Sequence, residues 1–334
     1  MRRHEEVSIK VHCIVSCLCE VIRLHSSIDY RPFYIGLWDA PFDVTEQGCI
    51  TYYQHDLNHT AMYAGFELLF GAPVIEWYEK NRPAKDNLAA LLELVETCPP
   101  NRHIMVQIDL SLLPERDNKF HQKPFPHFLM VERTESVEEW YVRDPDFRWE
   151  GTAAKDSIIE AFLGNPFGGG FYVDAERLKE PTAAAIDRFF RDVYTPVNEL
   201  TLAAELQIGM MCREESGKGL RKLEGAVKQL PVLAIRKYSY EHALMYFIDE
   251  SNAHAADFDH YCELIEQIVK GFNNVHYQSV KMAMTGSTAL LSSVMAKLDD
   301  INRIESMVKH ELLRLYRLWR FRCIDSLACK EAVR

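Results

Sequence analysis

This sequence first lacks long uncharged stretches. No run of about 18 apolar residues free of charge occurs, so no membrane-spanning helix is expected. Arg2 and Arg3 open the chain, but Glu5, Glu6, Lys10 and His12 break the stretch behind them. A secretory leader is therefore not expected. No internal repeat and no low-complexity tract is present, which excludes solenoids and biased linkers. The nine cysteines are odd in number and irregularly spaced, which disfavours a disulfide framework and fits a reducing cytoplasm. None of them forms the C-x-x-C pair of a zinc site.

What is present is ordinary for a globular protein. The 334 residues, 48% hydrophobic and 26% charged, suffice for two domains or one large one. The net charge of −11 is unevenly spread. Residues 1–180 hold 18 Lys+Arg against 29 Asp+Glu, whereas residues 181–334 hold 20 of each. An acidic first half disfavours nucleic acid and suits a cationic small molecule; it also serves solubility alone.

The two halves differ in pattern. In residues 1–180, apolar spacing predicts helices over Val11–Arg23, Thr60–Phe70, Asp86–Glu96 (with Asp86 as cap) and Ser157–Leu163. Strands are predicted at Phe33–Leu37, Cys49–Tyr53, Ile104–Ile108, His127–Arg133, Glu139–Asp144 and Phe171–Val173. From Pro181, glycine and proline become scarce inside amphipathic segments: Ala183–Val193, Val197–Cys212, Leu220–Gln229, Tyr240–Ile248, Phe258–Phe272, Ser279–Leu298 and Ile301–Phe321. The expected architecture is an α+β domain over residues 1–180 followed by an all-α helical bundle over 181–334.

Cys13 stands at the start of the first predicted helix, where the macrodipole favours a thiolate. A buried structural cysteine is the alternative. If Glu135-Ser136 centres a tight hairpin, paired residues have numbers that sum to 271, and His127 lies directly opposite Asp144. A carboxylate orienting an imidazole that faces a thiol is the logic of nucleophilic catalysis. A surface His–Asp pair is the alternative.

The order Cys13, then Pro126-His127-Phe128-Leu129-Met130-Val131, then Tyr141-Val142-Arg143-Asp144-Pro145 resembles papain-like cysteine enzymes, among them the bacteriocin-processing peptidases. His12-Cys13 near the chain start is similar to the butirosin-biosynthesis acyltransferase family, whose members move an acyl group from a carrier-protein thioester to an amine. Arg31-Pro32-Phe33-Tyr34-Ile35-Gly36-Leu37-Trp38-Asp39 and Ile50-Thr51-Tyr52-Tyr53 resemble the AsbE family of petrobactin biosynthesis. The resemblance implies a papain-like first domain with a first helix packed on an antiparallel sheet. It also implies an acyltransferase that carries a dihydroxybenzoyl group from an aryl carrier protein to spermidine. Cys13, His127 and Asp144 would be the catalytic residues. No cofactor is implied, since phosphopantetheine arrives on the carrier protein.

One departure is plain. Papain-like proteases carry a Gln six residues before the Cys, and here that position is Val7. The Cys13 N–H can supply one oxyanion donor; Gln54, Asn58 and Gln107 are candidates for the second. A thioester needs less activation than an amide, so the departure favours acyl transfer over proteolysis. Tyr34, Trp38, Asp39 and Asn58 form the expected substrate-binding set, in which a carboxylate and aromatic faces suit an ammonium; core aromatics and loop acids are the alternative. Lys309, Arg314, Arg317, Arg320 and Arg322 could face an acidic carrier protein or simply pair along their own helix. The apolar faces of the later helices suit a homodimer as readily as the first domain. A cysteine hydrolase and a non-catalytic scaffold remain as other readings. His55 and His59 imitate a zinc helix, but no third ligand follows them. Gly164–Gly170 lacks the Lys-Ser/Thr of a phosphate loop.

Overall fold

The computed structural model describes residues 11–53, 59–113, 123–165, 168–214, 218–251 and 258–325. In chain order the first elements are α1 (Cys13–His25), β1 (Asp43–Val44), β2 (Ile50–Thr51), α2 (Thr60–Phe70), β3 (Val74–Glu76), α3 (Ala84–Glu96) and β4 (Arg102–Asp109). They are followed by β5 (Pro126–Arg133), β6 (Glu139–Asp144), β7 (Trp149–Ala154), α4 (Lys155–Leu163) and β8 (Gly170–Asp174). Then come helices only: α5 (Ala183–Val193), α6 (Glu199–Arg213), α7 (Lys218–Val227), α8 (Leu230–Ala234), α9 (Ser239–Ser251), α10 (Phe258–Thr285) and α11 (Leu291–Arg320). This is an α+β region followed by a helical one. Among the described residues no helix is long and apolar enough to cross a membrane.

The described residues form two compact units. Residues 11–33 and 59–181 make a sheet unit, and residues 34–53 and 182–325 make a helical unit. The sheet unit is built on six antiparallel strands in the order β3-β8-β4-β5-β6-β7. β5 is central and buried from Pro126 to Val131, which requires cover on both faces; α1 and α3 both pack on it. β6 alternates instead, with Trp140, Val142 and Asp144 buried. α1 is buried along its whole middle, Ile14 to Ile22, as expected of a helix apolar all round. Each buried Val, Leu or Ile there contributes about 1.5–3 kcal/mol. Its one buried carboxylate, Glu20, is held by Arg23 (2.6 Å) and by Arg143 of β6 (3.2 Å). Burial opposes ionisation of Glu20, but the two guanidiniums prevail and hold it below the usual carboxylate range.

The close approach of β8 to β4 dictates a glycine. A Cβ on Gly170 would lie 2.0 Å from the Met105 carbonyl oxygen and 2.8 Å from the Trp77 indole nitrogen, which itself donates to that carbonyl.

In the helical unit, residues 34–53 thread among the helices. Arg236 donates to the carbonyls of Ala40 and Pro41, and the Gln229 side chain accepts from Thr51 Oγ1 and Tyr52 N. Three expectations are corrected here. Phe33–Leu37 is not a strand but lies across two 3-10 turns, Arg31–Tyr34 and Leu37–Asp39. Asp86 is not the cap of α3, which starts at Ala84; it sits in the first turn, where a carboxylate still complements the dipole. The last three predicted helices are two long ones. The break falls at Gly286, whose φ of 64° suits a residue without a Cβ, rather than at residues 273–278 and 299–300.

Candidate active site

The thiol is placed by a helix start. His12 is extended (φ −163°, ψ 119°), and Cys13 is the first helical residue of α1. The first N–H groups of a helix have no intrahelical acceptor, so the Cys13 N–H points out of the helix end. Cys13 is partly exposed.

The imidazole is placed by the entry to β5. Asp109, at the end of β4, accepts from Phe125 N and Ser111 N, both at 2.9 Å, and Leu110 N donates to the Phe125 carbonyl. That anchors the chain two residues before His127, which pairs with Ile108 across the ladder. His127 is only 2% exposed. Its Nε2 lies 3.0 Å from Asp144 Oδ1, which leaves Nδ1 as the other ring nitrogen, and the Cys13 sulfur is near enough to act on the imidazole electrostatically.

The carboxylate closes β6. Asp144 is fully buried, and its Oδ1 also accepts from Phe147 N at 3.2 Å. The observed β5–β6 register pairs Met130 with Arg143 and Val131 with Val142, so paired numbers sum to 273 rather than 271. The loop is longer than a tight hairpin: residues 134–138 separate the strands, and Thr134 Oγ1 bridges it to the Glu139 carbonyl at 2.8 Å. A two-residue slip keeps every side chain on its face. His127 and Asp144 are therefore diagonal rather than direct neighbours, within reach of long side chains.

Burial alone would push the His127 imidazole down. The Asp144 carboxylate, its hydrogen bond, and the Cys13 sulfur outweigh that and hold His127 well above its usual range. Two rings exclude water from the pair. Phe125 lies parallel to the imidazole at 6.0 Å, and Phe147 meets it edge-on at 5.1 Å. Ser16, one turn after Cys13, donates to Asp146 Oδ1 at 2.8 Å, which ties α1 to the turn that carries Asp144 and Phe147. One helix start, one strand entry and one strand end thus place thiol, imidazole and carboxylate in series.

Residues 8–178 match the DUF6005 N-terminal domain, and residues 184–328 match the DUF6005 C-terminal domain. A petrobactin synthase from Bacillus anthracis is 48% identical over 314 residues, 94% of this chain and 96% of that protein. The chain belongs to this family.

Within this family member, the remaining predicted residues have the following places. Tyr34, Trp38 and Asp39 belong to the helical unit, where all three are engaged. Tyr34 stacks on His242 (3.8 Å) and Trp38 on Tyr240 (4.2 Å). Asp39 has two ammonium partners: Lys237 at 3.3 Å and Lys309 at 2.7 Å. Lys237 also meets Glu305 at 2.6 Å, and Tyr240 donates to the same carboxylate at 2.9 Å. Burial disfavours the Lys237 ammonium, but Glu305 and Asp39 reverse that and raise it above its usual range. Asn58, Gln54 and His55 lie outside the described residues. Gln107 sits in β4 opposite Phe128. On the last helix Arg314 pairs with Glu311 and Arg320 with Asp187, while Lys309 is buried. Sequence reasoning missed Ser16, Asp109, Asp146 and Phe147. Only Asp146 and Phe147 carried a signal, as the residues that follow Asp144-Pro145.

Proposed function

We propose that this chain is an acyltransferase of petrobactin-type siderophore biosynthesis. In this reading it moves an aryl acyl group, dihydroxybenzoyl, from a carrier-protein thioester to the amine of a polyamine such as spermidine. The Cys13–His127–Asp144 series carries the reading, and the 48% identity to a petrobactin synthase supports the pathway.

The thiol proton passes to Nδ1 of His127, whose charged form Asp144 stabilises. The Cys13 thiolate attacks the thioester carbonyl, and the tetrahedral oxyanion forms beside the Cys13 N–H at the helix start. Collapse breaks the bond to the pantetheine sulfur, which leaves with the proton held by His127. The acyl group is then on Cys13. A neutral amine attacks, His127 takes its proton, and the C–S bond to Cys13 breaks to release the amide. The proton on His127 then returns to the thiolate. Asp144 holds the ring so that Nδ1 faces the sulfur throughout.

Intact-protein mass spectrometry with a dihydroxybenzoyl-loaded carrier protein tests this. The expected result is an acyl adduct on the wild type, absent in Cys13→Ala and discharged by spermidine to an amide. Spermidine-dependent amide without an adduct would instead mean direct transfer with His127 as base. Discharge by water at the same rate with and without spermidine would make the chain a hydrolase.

A further inference from the structure

Helix α6 (Glu199–Arg213) turns one apolar face inward and leaves a second one uncovered. Leu200, Ala204, Ile208 and Met211 are buried, and the helix packs against α7 and α11. On the other side Leu202, Leu206 and Met210 are 48%, 59% and 57% exposed. At about 100° per residue these three form one stripe roughly 80° wide. Single exposed apolar residues are ordinary, whereas a contiguous apolar stripe marks a contact surface. Glu199 and Arg213, both exposed, end the stripe on the same side of the helix. Neither has an ion-pair partner among the described residues.

The steps along this stripe, from Glu199 through Leu202, Leu206 and Met210 to Arg213, read the same in both directions from Leu206. We propose that the stripe is where two copies of this chain meet, with α6 antiparallel to its own copy about a two-fold axis at Leu206. Residues equally far on either side of Leu206 then face one another. Leu206 meets Leu206 of the second copy, Leu202 meets Met210, and Glu199 meets Arg213 at both ends. Glu205 faces Gln207, a carboxylate against an amide that can donate to it. A parallel pair would set Glu199 against Glu199 and Arg213 against Arg213, and like charges in register repel. A stripe that ends in one acid and one base has no net charge to draw a strongly charged partner, yet it complements itself. One pair of helices this short falls below the roughly 1,200–2,000 Å² of a tight interface, so the dimer is reversible.

Sedimentation equilibrium of the full chain, from about 1 to about 200 μM, tests this. The wild type should pass from the mass of one chain toward that of two as concentration rises. Leu206→Glu sets two carboxylates on the axis and should keep the chain monomeric across that range. Glu199→Arg and Arg213→Glu should each weaken the dimer by about tenfold, because both end pairs turn repulsive. Mixing these two single variants in equal amounts should restore it, since every end pair is again one acid and one base. The double variant should restore it as well. All three positions are exposed, so the substitutions leave the core of the helical unit intact. A wild type that stays monomeric throughout would overturn the proposal, whatever else the stripe then binds. A dimer that Leu206→Glu leaves unchanged would place the contact elsewhere and overturn it too. A dimer lost in the single charge variants and not recovered by mixing them would refute the antiparallel pairing.

Discussion

Asp144→Asn isolates the charge of the buried carboxylate. The amide keeps the shape, and its oxygen can still accept from Nε2–H of His127, so the ring tautomer survives. Asp144 Oδ2 has no hydrogen-bond partner among the described residues, so the new NH2 adds an unsatisfied donor, a cost of about 1–3 kcal/mol in stability. The electrostatic effect is separable from that cost. At 3.0 Å, unit charges attract by about 5–6 kcal/mol at an effective dielectric of about 20. Desolvation consumes part of this, and the carboxylate prevails. Asp144 raises His127, so its loss lowers His127 and drives the shared proton back to the sulfur. Iodoacetamide labelling of Cys13, followed against pH, should then be about tenfold or more slower in the variant near neutral pH. Superimposable profiles from a variant that melts cooperatively would refute the claim that Asp144 acts on the thiol through His127.

Ser16→Ala removes the bond to Asp146, and about 1.5–3 kcal/mol in thermal or denaturant unfolding is expected, with slower labelling of Cys13. His103, whose Nε2 faces that of His25 at 2.6 Å, is held at about 4 by burial, by His25 and by Arg143. The unfolded chain takes up that proton near pH 6.5, so folding should weaken by roughly 3 kcal/mol as pH falls from about 6.5 to about 4, and His103→Gln should flatten that slope in chemical denaturation. Lys237→Met strands Glu305 and removes one partner of Asp39, at about 3–5 kcal/mol. Pairing it with Glu305→Leu should recover most of that loss in a double-mutant cycle. Gly170→Ala drives a Cβ into the Met105 carbonyl and should give a chain whose β8 amides lose exchange protection.

The parts of the fold legible in sequence are those set by local periodicity. Thr60–Phe70, Glu139–Asp144 and Ala183–Val193 have the predicted limits. β3 and β7 were not legible. Val74–Glu76 is three residues long, and Trp149–Ala154 carries small and polar residues on an edge strand whose partner supplies most of its order. The break between the last two helices was misplaced: the predicted segments stop at Phe272 and Leu298, yet residues 273–278 and 299–300 lie inside long helices that packing sustains. Propensity is a weak prior beside tertiary burial.

The His127–Asp144 contact was legible for a reason that outlasts the wrong register. Which residues face each other depends on where the hairpin is centred, and the pairing was misjudged by two residues. Which residues share a face depends only on parity, and parity survives a slip of two. His127 and Asp144 are both an even number of positions from the Val131–Val142 pair, so either register puts them on one side of the sheet. The helical-unit residues had no such protection. Tyr34, Trp38 and Asp39 were chosen because acid and aromatics adjoin in sequence, and the same composition suits a buried ion-pair network. What separates the two cases is a pair of lysines 198 and 270 residues away, and no local pattern encodes them. Chemistry written within one hairpin can be read from one strand pair, whereas a carboxylate whose partners lie on distant helices cannot be told from a free one until the chain is folded.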